Sequence, residues 1–267
     1  MRALLCAVVV AALTSAAHAD VLLLDGFSYP DGPITTVSGG AWTAHSGTDS
    51  GATAMNVSAG MVLINQDDVT AGRADVNRLY NGGTTVDPAT DNTTKIYSSF
   101  TISSSSLPIN GDSDGSYFAH IKSSAANEFY GRIGANTNGA APGTFRFAIA
   151  NESWNVANTV EFPQDLSLNT TYTVVSRLDL ATDQTTLWVN PVSEASLSVT
   201  ATDALTYSAG AINAFALRQG TSGTGAPGDF AIDNLRVGTS FADVVPEPSG
   251  LVLLGAVGLL LRRRRCR

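Results

Sequence analysis

Cysteine is nearly absent from this chain of 267 residues: there are two, Cys6 and Cys266, one near each end. The long stretch between them therefore has no disulfide, no thiolate nucleophile and no sulfur ligand for zinc. Histidine is also scarce, and beyond the first twenty residues only His45 and His120 remain. Two imidazoles alone argue against a His-rich metal site and against a lyase built on paired bases. Basic residues number fifteen against twenty-three acidic ones. No uninterrupted apolar run reaches the roughly 20 residues that a spanning helix needs.

The apolar residues that do run together sit at the two ends. Met1-Arg2 is a positive start, Ala3 to Leu13 is apolar throughout, and Ala17-His18-Ala19 offers small residues where a signal peptidase cuts. Residues 1–19 are thus expected to be a secretory signal helix, with the mature chain beginning at Asp20. At the other end, Val245-Pro246-Glu247-Pro248 precedes an apolar run from Ser249 to Leu261 and then Arg262, Arg263, Arg264 and Arg265. As a helix that run would span about 20 Å, against a hydrocarbon core of about 30 Å. It makes a marginal anchor, and the arginines favour the cytoplasmic side, leaving the body outside.

This tail resembles the PEP-CTERM sorting signal of Gram-negative exopolysaccharide producers. The resemblance covers about a tenth of the chain and implies cleavage by an exosortase-type membrane protease near Pro246-Glu247-Pro248. Release or transfer to the cell surface or extracellular matrix would follow. The resulting division is a signal peptide over 1–19, a body over 20–240, a linker with the Pro-Glu-Pro motif over 241–248, and a short apolar sorting helix with its arginine cluster over 249–267.

With its two ends set aside, the body from 20 to 245 keeps nine basic and twenty-two acidic residues. So acidic a body repels phosphate backbones and excludes nucleic acid as a partner. Period-two alternation recurs along it: Tyr172, Val174, Leu178 and Leu180 fall on one face, Thr171, Thr173, Arg177 and Asp179 on the other. Similar patterns place strands at Val21 to Phe27, Ala54 to Ile64, Ile96 to Ile102, Tyr117 to Lys122, Phe129 to Ile133, Phe145 to Ile149, Thr185 to Asn190, Ile212 to Arg218 and Phe230 to Val237. Turn dipeptides such as Asn81-Gly82 and Asn138-Gly139 punctuate them. The expected fold is all-β, a two-sheet antiparallel jelly-roll sandwich.

The opening Leu24-Asp25-Gly26-Phe27-Ser28-Tyr29-Pro30-Asp31-Gly32, with Trp42 after it, Leu187-Trp188-Val189-Asn190-Pro191 and the closing Phe230-Ala231-Ile232-Asp233-Asn234-Leu235-Arg236-Val237 resemble concanavalin A-like, laminin-G-like jelly rolls. That resemblance implies that first and last strands are neighbours. It leaves activity open, from lectin to glycosidase.

Three features invite chemistry. Asn110, Asp112 and Asp114, followed by Gly115, match the first half of an oxygen-rich calcium loop, although position twelve would be Ile121 and not the bidentate Glu. An acidic hairpin turn is the plainer reading of the same residues. Asp25 and Asp233 would meet if the first and last strands pair, and a bulge at Asp233-Asn234 would turn that carboxylate toward a cation, with calcium again the suited ion. Gly111-x-Ser113-x-Gly115 has the form of a hydrolase elbow, but no helix follows and the only later histidine, His120, is seven residues away.

Glycoside hydrolysis needs two carboxyl groups at a fixed separation. The body has only Glu128, Glu152, Glu161 and Glu194, none in the Glu-x-Asp-x-x-Glu arrangement common among glycosidases of that superfamily. Trp154, set in the polar Asn151-Glu152-Ser153-Trp154-Asn155, is the aromatic platform best suited to stack on a sugar. The expectation is a non-enzymatic surface or matrix protein that binds or organises extracellular polysaccharide, with structural calcium as its candidate cofactor. The alternative is a polysaccharide hydrolase or lyase with an unrecognised carboxylate pair.

Overall fold

A computed structural model of the chain describes residues 20–65, 73–109, 116–125, 128–155, 157–207, 210–219 and 226–245. The signal segment, Asn110, Asp112 and Asp114, the Pro246-Glu247-Pro248 motif and Arg262 to Arg265 lie outside these residues. Among the described residues no helix is long and apolar enough to cross a membrane.

Two antiparallel sheets stack face to face. In the first sheet the strands run, edge to edge, Ser198–Thr200, Gln184–Val189, Tyr172–Asp179, Lys95–Ser104, Phe230–Gly238, Met61–Ile64, Asn56–Ser58 and Gly32–Pro33. The opening strand Val21–Asp25 also pairs with Phe230–Gly238, so the chain's first and last strands are neighbours as expected. In the second sheet the order is Val160–Glu161, Thr144–Ala150, Phe129–Asn136, Ser116–Ser123, Ile212–Leu217, Asp75–Leu79 and Trp42–Ser46, with Leu166–Ser167 pairing Thr144–Ala150. The all-β sandwich read from alternation is what the chain adopts.

Between the sheets lies an aromatic core. Phe118 of the second sheet meets Phe230 of the first with ring centroids 4.8 Å apart, and Phe100, Phe145, Phe147 and Phe215 surround them, all buried. Each such side chain contributes about 1.5–3 kcal/mol of burial energy, which offsets the lack of disulfides. The alternation in Tyr172–Asp179 is real. Tyr172, Val174 and Leu178 join this core, while Val175 faces the other way into a separate cluster with Tyr97, Trp188 and Val244.

That second cluster changes the reading of residues 241–245. Instead of an open linker, Phe241–Val244 forms a short helix docked on the outer face of the first sheet. Its Asp243 carboxylate accepts the Thr239 and Ser240 amides at 3.0 and 2.8 Å, satisfying amides at the helix start. Phe241 packs edge-on against Tyr97 and Trp188, and Ser99 Oγ donates to the Val244 carbonyl at 2.7 Å. Apolar cover makes this worthwhile, because otherwise Trp188 would face water.

The expected single strand from Ala54 to Ile64 is two strands joined by a tight turn at Ala59-Gly60. Both turn residues have positive φ, 50° and 76°, as a type I′ hairpin requires. An alanine in the first position hides this turn from sequence patterns that look for Asn-Gly or Asp-Gly.

Asp25 ties the sheets together at one end. Its carboxylate accepts Trp42 Nε1 at 2.7 Å, the Phe27 amide at 2.9 Å and the Tyr29 hydroxyl at 3.0 Å, and it is ion-paired with Arg78. Trp42 and Arg78 face each other in the second sheet, whereas Asp25 belongs to the first. Removing the carboxylate would strand a partly buried guanidinium. Asp25→Ala is expected to lower the unfolding free energy by about 3–5 kcal/mol in denaturant titrations. A loss below about 1 kcal/mol would show that the hub is dispensable.

Candidate active site on the outer face of the second sheet

The functional candidates gather where the second sheet turns away from the core. Adjacent strands Ser116–Ser123 and Phe129–Asn136 both carry irregularities: their pairing slips between Tyr117 and Ala119 and again between Ala119 and Ile121. Gly131 takes φ 60°, a left-handed conformation that costs glycine little. A bulge inserts an extra residue and re-aims the side chains that follow it. Phe118 and Ile121 therefore enter the core while Tyr117, His120 and Lys122 come to the outer face. Likewise Tyr130 and Ile133 point inward, and Phe129 and Arg132 outward.

Two further strands of the same sheet complete the group. Ala214 and Ala216 lie opposite Lys122 and His120 in the ladder, so the floor beside those side chains is low. Arg218, just past that strand, donates to Ser116 Oγ at 2.5 Å and sits near Asp75, with its Nε 3.9 Å from the carboxylate. The edge strand Trp42–Ser46 slips in register between Ala44 and Ser46, and His45 reaches the cluster.

The geometry is tight. The His45 and His120 rings stand 5.9 Å apart, edge to face, and His120 lies 5.6 Å from Tyr117 and 4.6 Å from Phe129. Guanidinium carbons of Arg132 and Arg218 lie 4.8 and 4.5 Å from the Tyr117 ring centroid, at cation–π distance. Trp154 stands 6.1 Å from Tyr117, and its indole occupies the space above Gly134, where a Cβ would come within 2.2–2.4 Å of it.

Three cations in so acidic a chain set the local potential. Burial, and then Lys122, depress His45 to about 4, with a hydrogen bond to Asn77 opposing. For His120 burial comes first, followed by His45, Arg132, Arg218 and Lys122, and its pKa falls well below 6.5. Burial also lowers Arg132. Both imidazoles are neutral at neutral pH. Nδ1 of His45, both ring nitrogens of His120, Arg132 Nε and Trp154 Nε1 are buried without a hydrogen-bond partner among the described residues.

Nearby carboxylates are already engaged. Asp75 receives Ser46 Oγ at 2.8 Å and the Gln219 amide at 3.1 Å, and Asp203 accepts three backbone amides. What the face assembles is imidazole, phenol and guanidinium, suited to holding an anion and moving a proton beside it. The sequence-based argument from scarce histidines fails here, because the fold brings the only two in the body into contact.

Other sequence-based candidates fall elsewhere. Asp25 lies opposite Leu235 at the junction of first and last strands, but its oxygens are taken by the donors of the hub described above. The bulge at Asp233-Asn234 is present, with Asn234 at φ 55° and the pairing shifted between Asp233 and Arg236. Asp233 turns to the Asn234 amide and side chain at 2.6 and 3.0 Å. Among the described residues no group of three or more His, Cys, Asp or Glu is placed to hold a metal ion. Trp154 is half-buried, and it lies within the cluster.

No family model matches this chain, and no curated protein does. Among solved structures it is similar to an alginate lyase, Aly36B, at 13% identity and a TM-score of 0.47, covering 81% of this chain and 96% of that one. It is also similar to the marine PL7 alginate lyase AlyA1 from Zobellia galactanivorans, at 16% identity and TM-score 0.46, with 82% and 94% covered. An engineered GH43 glycoside hydrolase matches at 12% identity and TM-score 0.44, over 85% of this chain and 42% of its own. Likeness at this level concerns the sandwich fold. The expectation of a non-enzymatic body is nevertheless corrected, since the outer face gathers two imidazoles, a phenol and guanidiniums that can hold an anion and move a proton.

The two neutral imidazoles make stability depend on pH. An unfolded histidine takes up a proton below about 6.5, whereas these rings refuse it in the fold. Stability is thus full above 6.5 and lost as pH falls toward 4. Chemical denaturation at pH 7 and pH 5 is expected to show His120→Phe with an average slope flatter than wild type by about 1 kcal/mol per pH unit. Equal slopes would mean that His120 does not stay neutral.

Proposed function

We propose that this protein acts on an acidic polysaccharide, cleaving a uronate-bearing chain by β-elimination on the outer face of the second sheet. The observation that carries the reading is the pair of guanidiniums, Arg132 and Arg218, over Tyr117, beside neutral His45 and His120. A uronate carboxylate facing two guanidiniums loses much of its negative charge, which makes the adjacent C5 proton more acidic. A neutral imidazole is free to take that proton; burial is the main cause of its low basicity, and the incoming carboxylate offsets the smaller part that comes from Lys122.

In this scheme His45, the more accessible ring, takes the C5 proton, and the electron pair becomes the C4–C5 double bond. The Tyr117 hydroxyl gives its proton to the departing O4. His120 stands behind both, buried. Hydrolysis would ask instead for two available carboxyl groups. The acids around this face are held by their own hydrogen bonds, so elimination fits better than hydrolysis.

Delivery outside the cytoplasm would suit the same reading, because such polymers accumulate there. We propose that the basic-apolar-small start exports the chain and that the Pro-Glu-Pro tail routes it through an exosortase-type protease to the surface or matrix. The purified protein is expected to raise the ultraviolet absorbance of alginate, pectate or glucuronan solutions as unsaturated uronates form. Tyr117→Phe and Arg218→Ala should each slow the reaction by about 100-fold or more. No absorbance change on any of these polyuronates would overturn the proposal.

A further inference from the structure

Trp154 owes its position to a single carboxylate on a distant loop. Asp203 accepts the backbone amides of Asn151 at 2.7 Å, Glu152 at 2.9 Å and Ser153 at 3.0 Å, the three residues just before the indole. The same turn is anchored from behind, where Asn151 Oδ1 accepts the Thr185 amide and hydroxyl, both at 2.7 Å. Glu152 returns the contact by accepting the Thr206 amide at 3.0 Å. A carboxylate receiving three amides fixes a turn as a helix cap fixes the first turn of a helix, with charge-assisted bonds about twice as strong as neutral ones.

Gly134 supplies the other half of the arrangement. Its missing side chain leaves the gap that the indole fills, 6.1 Å from Tyr117. Asp203 also acts through space on Arg132, whose pKa burial lowers and whose charged form this carboxylate favours, so the clamp lies near the cation group as well as the aromatic platform.

We propose that Asp203 is a positioning residue that holds the 151–153 turn so that Trp154 forms a sugar-stacking subsite next to Tyr117, taking the ring adjacent to the uronate being cleaved. The inference rests on the proposed function of this face. An aromatic platform fixed in advance binds a sugar without the entropic cost of ordering a loop. Loosening it should weaken substrate capture more than it slows the chemical step.

Tryptophan quenching isolates the clamp. Trp42 and Trp188 are 0% and 2% exposed, so acrylamide reports on Trp154. Asp203→Ala in the full chain is expected to increase quenching and to raise KM for the polyuronate about tenfold, with kcat changing less than KM. Asp203→Asn, which keeps an acceptor, should recover part of both. Gly134→Ala, with the clamp intact, should expel the indole and raise KM similarly, which guards against an Asp203→Ala variant that fails to fold. Unchanged quenching in both Asp203 variants, or equal losses in kcat and 1/KM, would overturn the positioning role. If the wild-type protein cleaves no polyuronate, the reading of the face fails while quenching still decides the clamp.

Discussion

Register slips in two adjacent strands are the constraint on which the outer face depends. In an unbroken strand, residues three apart point to opposite sides, so Tyr117 and His120 would be separated by the sheet, as would Phe129 and Arg132. The slips around Ala119 and the left-handed Gly131 bring both pairs to the same side. Because the strands are neighbours, the two distortions face each other. Phe118, Ile121, Tyr130 and Ile133 keep their places in the core. The cost is an irregular ladder, and what is gained is a patch of imidazole, phenol and guanidinium that a regular sheet would divide.

The sandwich puts its two special surfaces back to back. On the first sheet, Trp188 and Tyr97 are covered by Phe241 and Val244, so the chain reaches Val245 against that side. On the second sheet, the cationic face carries the proposed chemistry. Anything attached through the residues after Val245 starts from the opposite side of the body, leaving the reactive face unobstructed by the tail's root. The Asp25 hub joins the sheets and involves Arg78 and Trp42 of two strands that also carry Asn77 and His45 toward the site.

Much of the fold was legible in the sequence because it depends on alternation. Tyr172, Val174 and Leu178 announced an inward face, and the neighbouring first and last strands followed from resemblance. The bulge at Asp233-Asn234 was also readable, since Phe230 and Ile232 keep one phase and Leu235 and Val237 the other. The site was hidden for the same physical reason. A period-two reading assigns His120 and Tyr117 to different faces, and nothing in residues 42–46 marks His45 as their neighbour. Gly131 between Phe129 and Arg132 was the available signal, as glycine inside a strand often marks a bulge. Asp75–Leu79, which holds Arg78 and Asn77, lacks a strong apolar alternation and was missed as a strand. Trp154 was found from its polar setting, although its support by Asp203 and Gly134 arises only in three dimensions.

The central claim is that Arg132, Arg218 and the two histidines form one anion-receiving site. Nitrogen-detected NMR of arginine side chains and histidine rings during titration with a short uronate oligosaccharide tests it most directly. The account predicts saturable shifts at Arg132, Arg218 and His45, with Arg146, Arg177 and Arg236 unmoved. Shifts spread evenly over all the arginines, or none at saturating oligosaccharide, would contradict it.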